Sequence, residues 1–331
     1  MKKVAINGFG RIGRAAARII LQKFAGKLEL VAINNPAPAE TDAHLFAFDT
    51  NYGKFSGEVS VENDGEIFNF GGQKIRNFST REIADLPWKK LGVDIVLECT
   101  GVFKTAETAG AHILQGAKKV LLSCPAKDEN FTTIVIGANE KILTGDEKLI
   151  SNASCTTNCL APVAKILHDE IGIESGLMTT IHSYTNGQNL LDVKQKDLRR
   201  ARAAAENIIP TTTGAAKAVG KVLPDLKGKL NGISIRVPTP TVSLVDFVFK
   251  SAKKVSEKNV NEILQNASQK NPHILGFETR PLVSSDFKCD SRSSIVDAAE
   301  TMVADDLVKI LAWYDNEWGY SCRLVELASI L

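Results

Sequence analysis

Short apolar, β-rich runs alternate with helix-patterned stretches through the first half of the chain. Lys3–Asn7 reads as a buried strand, Ile12–Phe24 as a helix and Leu28–Asn34 as a second strand. Ile95–Cys99 and Lys119–Ser123 read as further strands, with a helix over about Ala106–Gln115 between them. Such alternation predicts parallel βαβ units and a doubly wound sheet. Near residue 150 the pattern changes. Leu160–Gly172 is helical, and long alternating stretches follow at Leu177–Tyr184, Leu230–Val237, Val242–Lys250 and Leu307–Tyr314. Strands so far apart in sequence predict a mixed or antiparallel sheet packed against helices. Gly319–Ile330 closes the chain as a helix. The fold class is α/β in the first half plus α+β in the second, with a tight boundary and no internal repeat.

Composition narrows the class without choosing a function. The chain has 331 residues, 44% hydrophobic and 24% charged, the balance of a soluble globular protein with one large or two medium domains. A net charge of +2 gives no reason to require a nucleic-acid or membrane partner. Six cysteines without disulfide-scaffold density or zinc spacing predict a reducing, cytoplasmic setting. The chain runs straight into Val4-Ala5-Ile6 with no apolar signal region, and no stretch is long enough to span a bilayer.

Chemistry enters at the first strand-to-helix turn. Asn7-Gly8-Phe9-Gly10-Arg11-Ile12-Gly13 places a G-x-G-x-x-G pattern between strand and helix. Gly8 permits a tight turn, Gly10 lets a pyrophosphate approach the backbone, and Gly13 allows helix and strand to pack closely. The helix N-terminus then faces phosphate charge, the arrangement of a Rossmann dinucleotide site. That fingerprint also expects an acid about twenty residues on for the adenosine ribose. Here the second strand ends in Asn34-Asn35-Pro36, with no carboxylate before Glu40. A carboxylate repels a 2′-phosphate whereas an amide can donate to one, so the sequence is permissive for NADP.

A second constellation is Ser151-Asn152-Ala153-Ser154-Cys155-Thr156-Thr157-Asn158-Cys159, ahead of a helix. The positive end of the helix dipole and its unpaired amides lower the pKa of a thiol placed there. Cys155 is therefore a candidate thiolate nucleophile, whereas Cys159, four residues on, reads as a core residue. No histidine or third cysteine stands at ligand spacing, so no metal is expected. A low-pKa thiol needs a base, and His182 at the end of an apolar strand is the candidate. His44, His112 and His168 fall in helical patterns and His273 in a polar loop.

Along essentially its whole length the sequence resembles the phosphorylating glyceraldehyde-3-phosphate dehydrogenases. The resemblance is carried by NGFGRIGR, SNASCTTNCLAP, TTIHSYTN, KDLRRARAAAENIIPTTTGAAKAV, KGKLNG, RVPTP and WYDNEWGYS, in that order. It implies an NAD(P)-binding Rossmann domain over 1–151, on which the final helix 317–331 packs back, a catalytic domain over 152–316, and a homotetramer. It implies that Cys155 attacks the aldehyde of glyceraldehyde 3-phosphate while His182 takes the proton. Hydride loss to the nicotinamide then leaves a thioester, which inorganic phosphate cleaves to an acyl phosphate, a step of glycolysis and gluconeogenesis. A thioester keeps the oxidation energy in a form that phosphate can capture. By the same resemblance Thr185, Arg200 and Arg236 hold the substrate's C3 phosphate, and Ser154, Thr156, Thr213 and Gly214 hold the attacking phosphate. Asn316 would fix the nicotinamide carboxamide. Asn7, Gly8, Gly10, Arg11, Ile12, Asn35, Thr100 and Ser123 match other cofactor-contacting positions.

The chain departs from the family pattern at the adenosine end of the cofactor. Most NAD-using members have Asp in place of Asn35 and Leu-Pro in place of Val193-Lys194. Lys194, in a loop that reaches a neighbouring subunit's adenosine in the family, and Arg81 supply cations suited to a 2′-phosphate. Together these predict dual specificity or a preference for NADP over strict use of NAD. Gly187 replaces a commonly acidic residue near the substrate phosphate, and Cys124 replaces a small inert one and is expected to be oxidation-sensitive. Two other readings compete: erythrose-4-phosphate dehydrogenase, whose members tend to lack the block at Thr213–Lys217, and an additional non-catalytic binding role.

Overall fold

In the computed structural model, which describes residues 1–331, the apolar run Val4-Ala5-Ile6 is fully buried in the strand Lys2–Asn7. That strand pairs in parallel with Leu28–Asn34 on one side and Ile95–Glu98 on the other. Lys119–Leu122, Leu149–Ser151 and Thr132–Thr133 continue the parallel sheet beyond Ile95–Glu98. Beyond Leu28–Asn34 the sheet extends through the parallel strand Gln73–Phe78 and the antiparallel strands Ile67–Phe70 and Val59–Glu62, nine strands in all. These last three were not anticipated, because their polar interruptions at Asn69, Lys74 and Arg76 hide the alternation. The helix Arg11–Lys23 follows the glycine-rich turn, and Ala106–Leu114 packs on Lys119–Leu122 and Leu149–Ser151. Residues 1–134, 141–153 and 321–331 form this unit.

A buried polar cluster fixes the C-terminal ends of the central strands. Glu98 is 1% exposed and accepts from Asn7 Nδ2 at 2.6 Å and Thr100 N at 2.8 Å. His112, fully buried, accepts from the Trp88 indole through Nδ1 at 2.9 Å, so its Nε2 proton points to Glu98 Oε2 at 3.2 Å. Asn7 in turn accepts from Asn34 Nδ2 at 2.7 Å. The ends of three adjacent strands are thereby tied into one rigid platform under the glycine-rich turn.

Two of that turn's glycines are demanded by packing. Gly8 has φ +93°, and a Cβ there would lie 2.6 Å from Thr100 N; one on Gly13 would lie 2.1 Å from Gly8 O. Neither contact is with a movable side-chain tip, so the backbone itself would have to shift. Gly8→Ala is expected to destabilise by about 2–4 kcal/mol, combining left-handed strain with a backbone clash, read as a fall in the urea midpoint.

Residues 135–140 and 154–320 form the second unit. Its seven-stranded mixed sheet runs in the order Ile209–Thr212, Leu230–Val237, Ile173–Ser183, Ser243–Ser251, Leu307–Tyr314, Ser294–Ala304 and Leu275–Glu278. Met178, Phe247 and Ile310 stand side by side on one face, buried, and the helix Cys155–Ile171 packs against the sheet. The opposite face leaves Leu177, Ile233, Met302 and Leu307 exposed. The helix Glu257–Lys270 and the strand Ser294–Ala304 were not anticipated; the strand's register shifts between Asp297 and Met302, which breaks its period. No helix in the chain is long and apolar enough to cross a membrane.

Candidate active site

The helix that carries Cys155 starts five residues earlier than its apolar pattern suggests. Ser154 caps it, accepting from Thr157 N at 3.0 Å, and this side-chain acceptor compensates for the weak helix formers Cys-Thr-Thr-Asn. Ala153, with φ +54°, turns the chain into the cap. Cys155 thus occupies the first helical position. Thr156 is buried, and its hydroxyl lies 2.9 Å from Tyr314 Oη, which also meets Thr180 Oγ1 at 2.8 Å. Tyr314 was not singled out in the sequence, although it lies within WYDNEWGYS; it ties the start of the cysteine helix to the sheet. Burial pushes its phenol well up, so it stays protonated.

Sheet register supplies the partners. Parallel pairing of Ile173–Ser183 with Leu230–Val237 sets His182 opposite Arg236. His182 Nε2 lies 3.4 Å from Cys155 Sγ. Its Nδ1 lies 2.7 Å from Ser183 O and 2.7 Å from Arg236 Nη1, which also donates to Ser183 O at 2.9 Å. Ser183 O can only accept and Arg236 Nη1 can only donate, so the two compete for opposite tautomers; in the Nδ1–H form Nδ1 donates to Ser183 O and the Nε2 lone pair faces the sulfur.

The electrostatics correct one expectation. Burial pushes the Cys155 thiol above its ordinary value, against the Arg236 charge and the hydrogen bonds of Thr156. Desolvation thus works against the helix N-terminus in setting the charge of this thiol. Burial, then the Arg236 charge, lowers the pKa of His182 to about 3. The resting imidazole beside the sulfur is neutral. That is a nucleophile with its base in place.

Beside this pair is a region built for anions. Arg236 Nε is buried and has no partner, and the like charge of Arg200 weighs on both Arg236 and His182. Arg200 is held through Nε by Thr211 Oγ1 at 2.9 Å, and that hydroxyl donates to Asp197 Oδ2 at 2.9 Å. Two guanidinium groups that repel each other, one with an unused donor, are stabilised when an anion binds between them. Thr185 is exposed just past the histidine strand. Thr213 accepts from Ala215 N at 3.1 Å, and Gly214, the N-cap of the helix Ala215–Val222, has open space where a Cβ would stand. Asn316 accepts from Ser243 Oγ at 3.0 Å, which itself accepts from Ser183 N at 3.1 Å. Asn316 Oδ1 is thus fixed, which turns its NH2 the other way.

In the first unit the residues present fit a dinucleotide. Gly10 has nothing within 4 Å of where its Cβ would be. The helix Arg11–Lys23 has no side-chain cap and no acid in its first turn, so its positive dipole end suits a phosphate. Arg11 pairs with Asp49 and stacks on the Tyr52 ring, and Ile12 is half-buried. The Asn7 and Thr100 side chains donate to Glu98, and Ser123 N donates to Glu98 O at 3.0 Å, so all three belong to the strand-end cluster. Arg81 and, in the second unit, Lys194 are exposed. Asn35 does not offer the amide donor that its sequence position suggests: its Nδ2 lies 2.9 Å from both carboxylate oxygens of buried Asp42, so the donor meant for a 2′-phosphate is already turned to an acid. Cys124 is also corrected, since burial pushes its thiol up and away from the reactive thiolate.

Comparison with known proteins follows the same division. Residues 2–106 match the family described as glyceraldehyde 3-phosphate dehydrogenase, NAD binding domain, and residues 154–316 match its C-terminal domain. The chain is 53% identical to the glyceraldehyde-3-phosphate dehydrogenase of Pseudomonas aeruginosa, over 99% of this chain and 98% of that one. It is 53% identical to that of Zymomonas mobilis, over 99% and 97%. It is also 51% identical to chloroplastic glyceraldehyde-3-phosphate dehydrogenase A of Chlamydomonas reinhardtii, over 99% and 88%. With both domains matched in order and relatives covered nearly end to end, the chain belongs to the glyceraldehyde-3-phosphate dehydrogenase family of NAD(P)-dependent oxidoreductases.

Proposed function

We propose that this protein oxidises D-glyceraldehyde 3-phosphate in the presence of inorganic phosphate to 1,3-bisphosphoglycerate, using NAD or NADP. The observation that carries the reading is the 3.4 Å contact of Cys155 Sγ with a neutral His182, beside the unpaired donor of Arg236. Cys155 Sγ attacks the aldehyde carbon, and the thiol proton passes to His182 Nε2. The resulting imidazolium stabilises the alkoxide of the thiohemiacetal on Cys155. When bound, the nicotinamide supplies the two-electron acceptor that turns this adduct into a thioester. A phosphate oxygen then attacks the thioester carbon, and the sulfur leaves and recovers its proton from His182.

Arg236 and Arg200, with Thr185, hold the C3 phosphate in this reading, and Ser154, Thr156, Thr213 and Gly214 hold the attacking phosphate. Binding of the first anion draws Arg236 from His182 Nδ1 and leaves Ser183 O to that nitrogen alone, which favours the base-competent tautomer. Asn316 orients the carboxamide of the nicotinamide. The first unit serves as the cofactor domain and the second as the catalytic domain. The apolar outer face formed by Leu177, Ile233, Met302 and Leu307 fits burial against another copy, in keeping with a homotetramer. Cofactor use is dual, with Arg81 and Lys194 the cations available to a 2′-phosphate. The deciding assay follows reduced cofactor with glyceraldehyde 3-phosphate, with and without phosphate, using NAD and NADP in parallel. Sustained turnover only with phosphate is expected. Equal turnover without it would overturn the acyl-phosphate step.

A further inference from the structure

The adenosine end of the cofactor site contains an acid that the sequence pattern does not reveal. Asn35 directly follows the strand Leu28–Asn34, where dinucleotide folds place the ribose-reading carboxylate. The orientation of its amide is settled by its neighbours. Nδ2 lies 2.9 Å from both Asp42 Oδ1 and Asp42 Oδ2, and an ionised carboxylate offers only acceptors. Oδ1 lies 3.3 Å from Phe9 N, which only donates. Asn35 is held from both ends. What it turns toward the glycine-rich turn is a carbonyl oxygen with a lone pair to spare, suited to a ribose hydroxyl and unsuited to a phosphate oxygen.

Asp42 stands one hydrogen bond behind. It lies in the first turn of the helix Ala39–Ala47 and is 2% exposed, so solvent screens its charge poorly. Burial raises its pKa, while the Asn35 hydrogen bond and the Arg14 charge lower it. The chain thus divides between two residues what one aspartate does elsewhere, with the acceptor on Asn35 and the charge on Asp42.

We propose that Asp42, acting through Asn35, biases the adenosine end of the cofactor site toward NAD and against the 2′-phosphate of NADP. The inference rests on the cofactor use proposed above and sharpens it, since the exposed cation Arg81 of the same unit would attract a 2′-phosphate that the Asn35–Asp42 pair disfavours. Asp42 is a positioning and charge-bearing residue and need not touch the cofactor. The test is calorimetric titration of the full-length protein with ADP-ribose and with 2′-phospho-ADP-ribose, neither of which turns over, alongside kcat/KM for NAD and NADP. In Asp42→Asn the affinity ratio should move toward the 2′-phosphorylated ligand by about tenfold, the order expected for removing one poorly screened charge near a phosphate. Asp42→Ser deletes the same charge with a smaller side chain and should move the ratio the same way, which keeps the test open if the first variant does not fold. A ratio within twofold of the parent in a variant that still binds ADP-ribose would overturn the proposal. Absence of aldehyde oxidation in the parent with either cofactor would instead overturn the proposed function and leave the binding ratio to be read on its own.

Discussion

Cys155→Ser is expected to abolish phosphate-dependent reduction of NAD(P), with kcat falling on the order of 10⁴-fold or more, while the protein stays folded. The loss is chemical. A serine hydroxyl gives up its proton far less readily than a thiol, and His182, with its pKa lowered to about 3, is too weak a base to drive that ionisation. An oxygen ester also yields less readily than a thioester to attack by phosphate. The fold should survive because little holds the sulfur in place: its contacts are Thr156 Oγ1 at 4.0 Å and His182 Nε2 at 3.4 Å, while Ser154 continues to cap the helix. Cys159→Ser is the matched control. Cys159 is fully buried, with Ser294 Oγ at 3.5 Å and Ala312 O at 3.8 Å, and burial pushes its thiol up to about 12. Its loss should lower stability and spare turnover. Steady-state rates and melting curves on both variants decide the matter; turnover by Cys155→Ser near the parent rate would remove the nucleophile from the proposal.

Much of this was legible in the chain because local pattern and tertiary environment agree. Leu28–Asn34, Leu230–Val237 and Leu307–Tyr314 form over the residues read for them, and in the last the period matches the faces, with Val308, Ile310, Ala312 and Tyr314 buried. The helix Glu257–Lys270 could have been found from Ser256 and Asn259, which form its capping box ahead of Val260 and Leu264. The contact of His182 with Arg236 could not, since it depends on parallel pairing of strands whose facing residues lie 54 apart in sequence. Asp42 was hidden for a related reason. The fingerprint seeks an acid at the strand end, and only the turn into the helix Ala39–Ala47 folds this one back against Asn35. The charge of Cys155 is not legible in the chain, because a helix terminus can be read from sequence whereas the desolvation that opposes it cannot.

His182→Asn should separate the base from the nucleophile and reveal a second consequence of its burial. Without an acceptor at Nε2 the sulfur must lose its proton to solvent, so kcat/KM should fall by about 10²–10⁴-fold. The remaining rate should climb through the alkaline range, because burial places the Cys155 thiol above its ordinary value. Stability should respond with the opposite sense at acid pH. The parent's imidazole stays neutral in the folded state down to about pH 3, whereas in the unfolded chain it binds a proton near its ordinary value of about 6.5. Below about pH 6.5 the unfolded state therefore holds the extra proton, and unfolding becomes more favourable by at most about 1.4 kcal/mol for each further pH unit. Asparagine binds no proton in either state, so the variant should lose less stability than the parent between pH 7 and pH 4.5. Urea unfolding at the two pH values measures that difference directly. An equal loss in both proteins would mean that His182 is not the neutral, buried base on which the proposed chemistry depends.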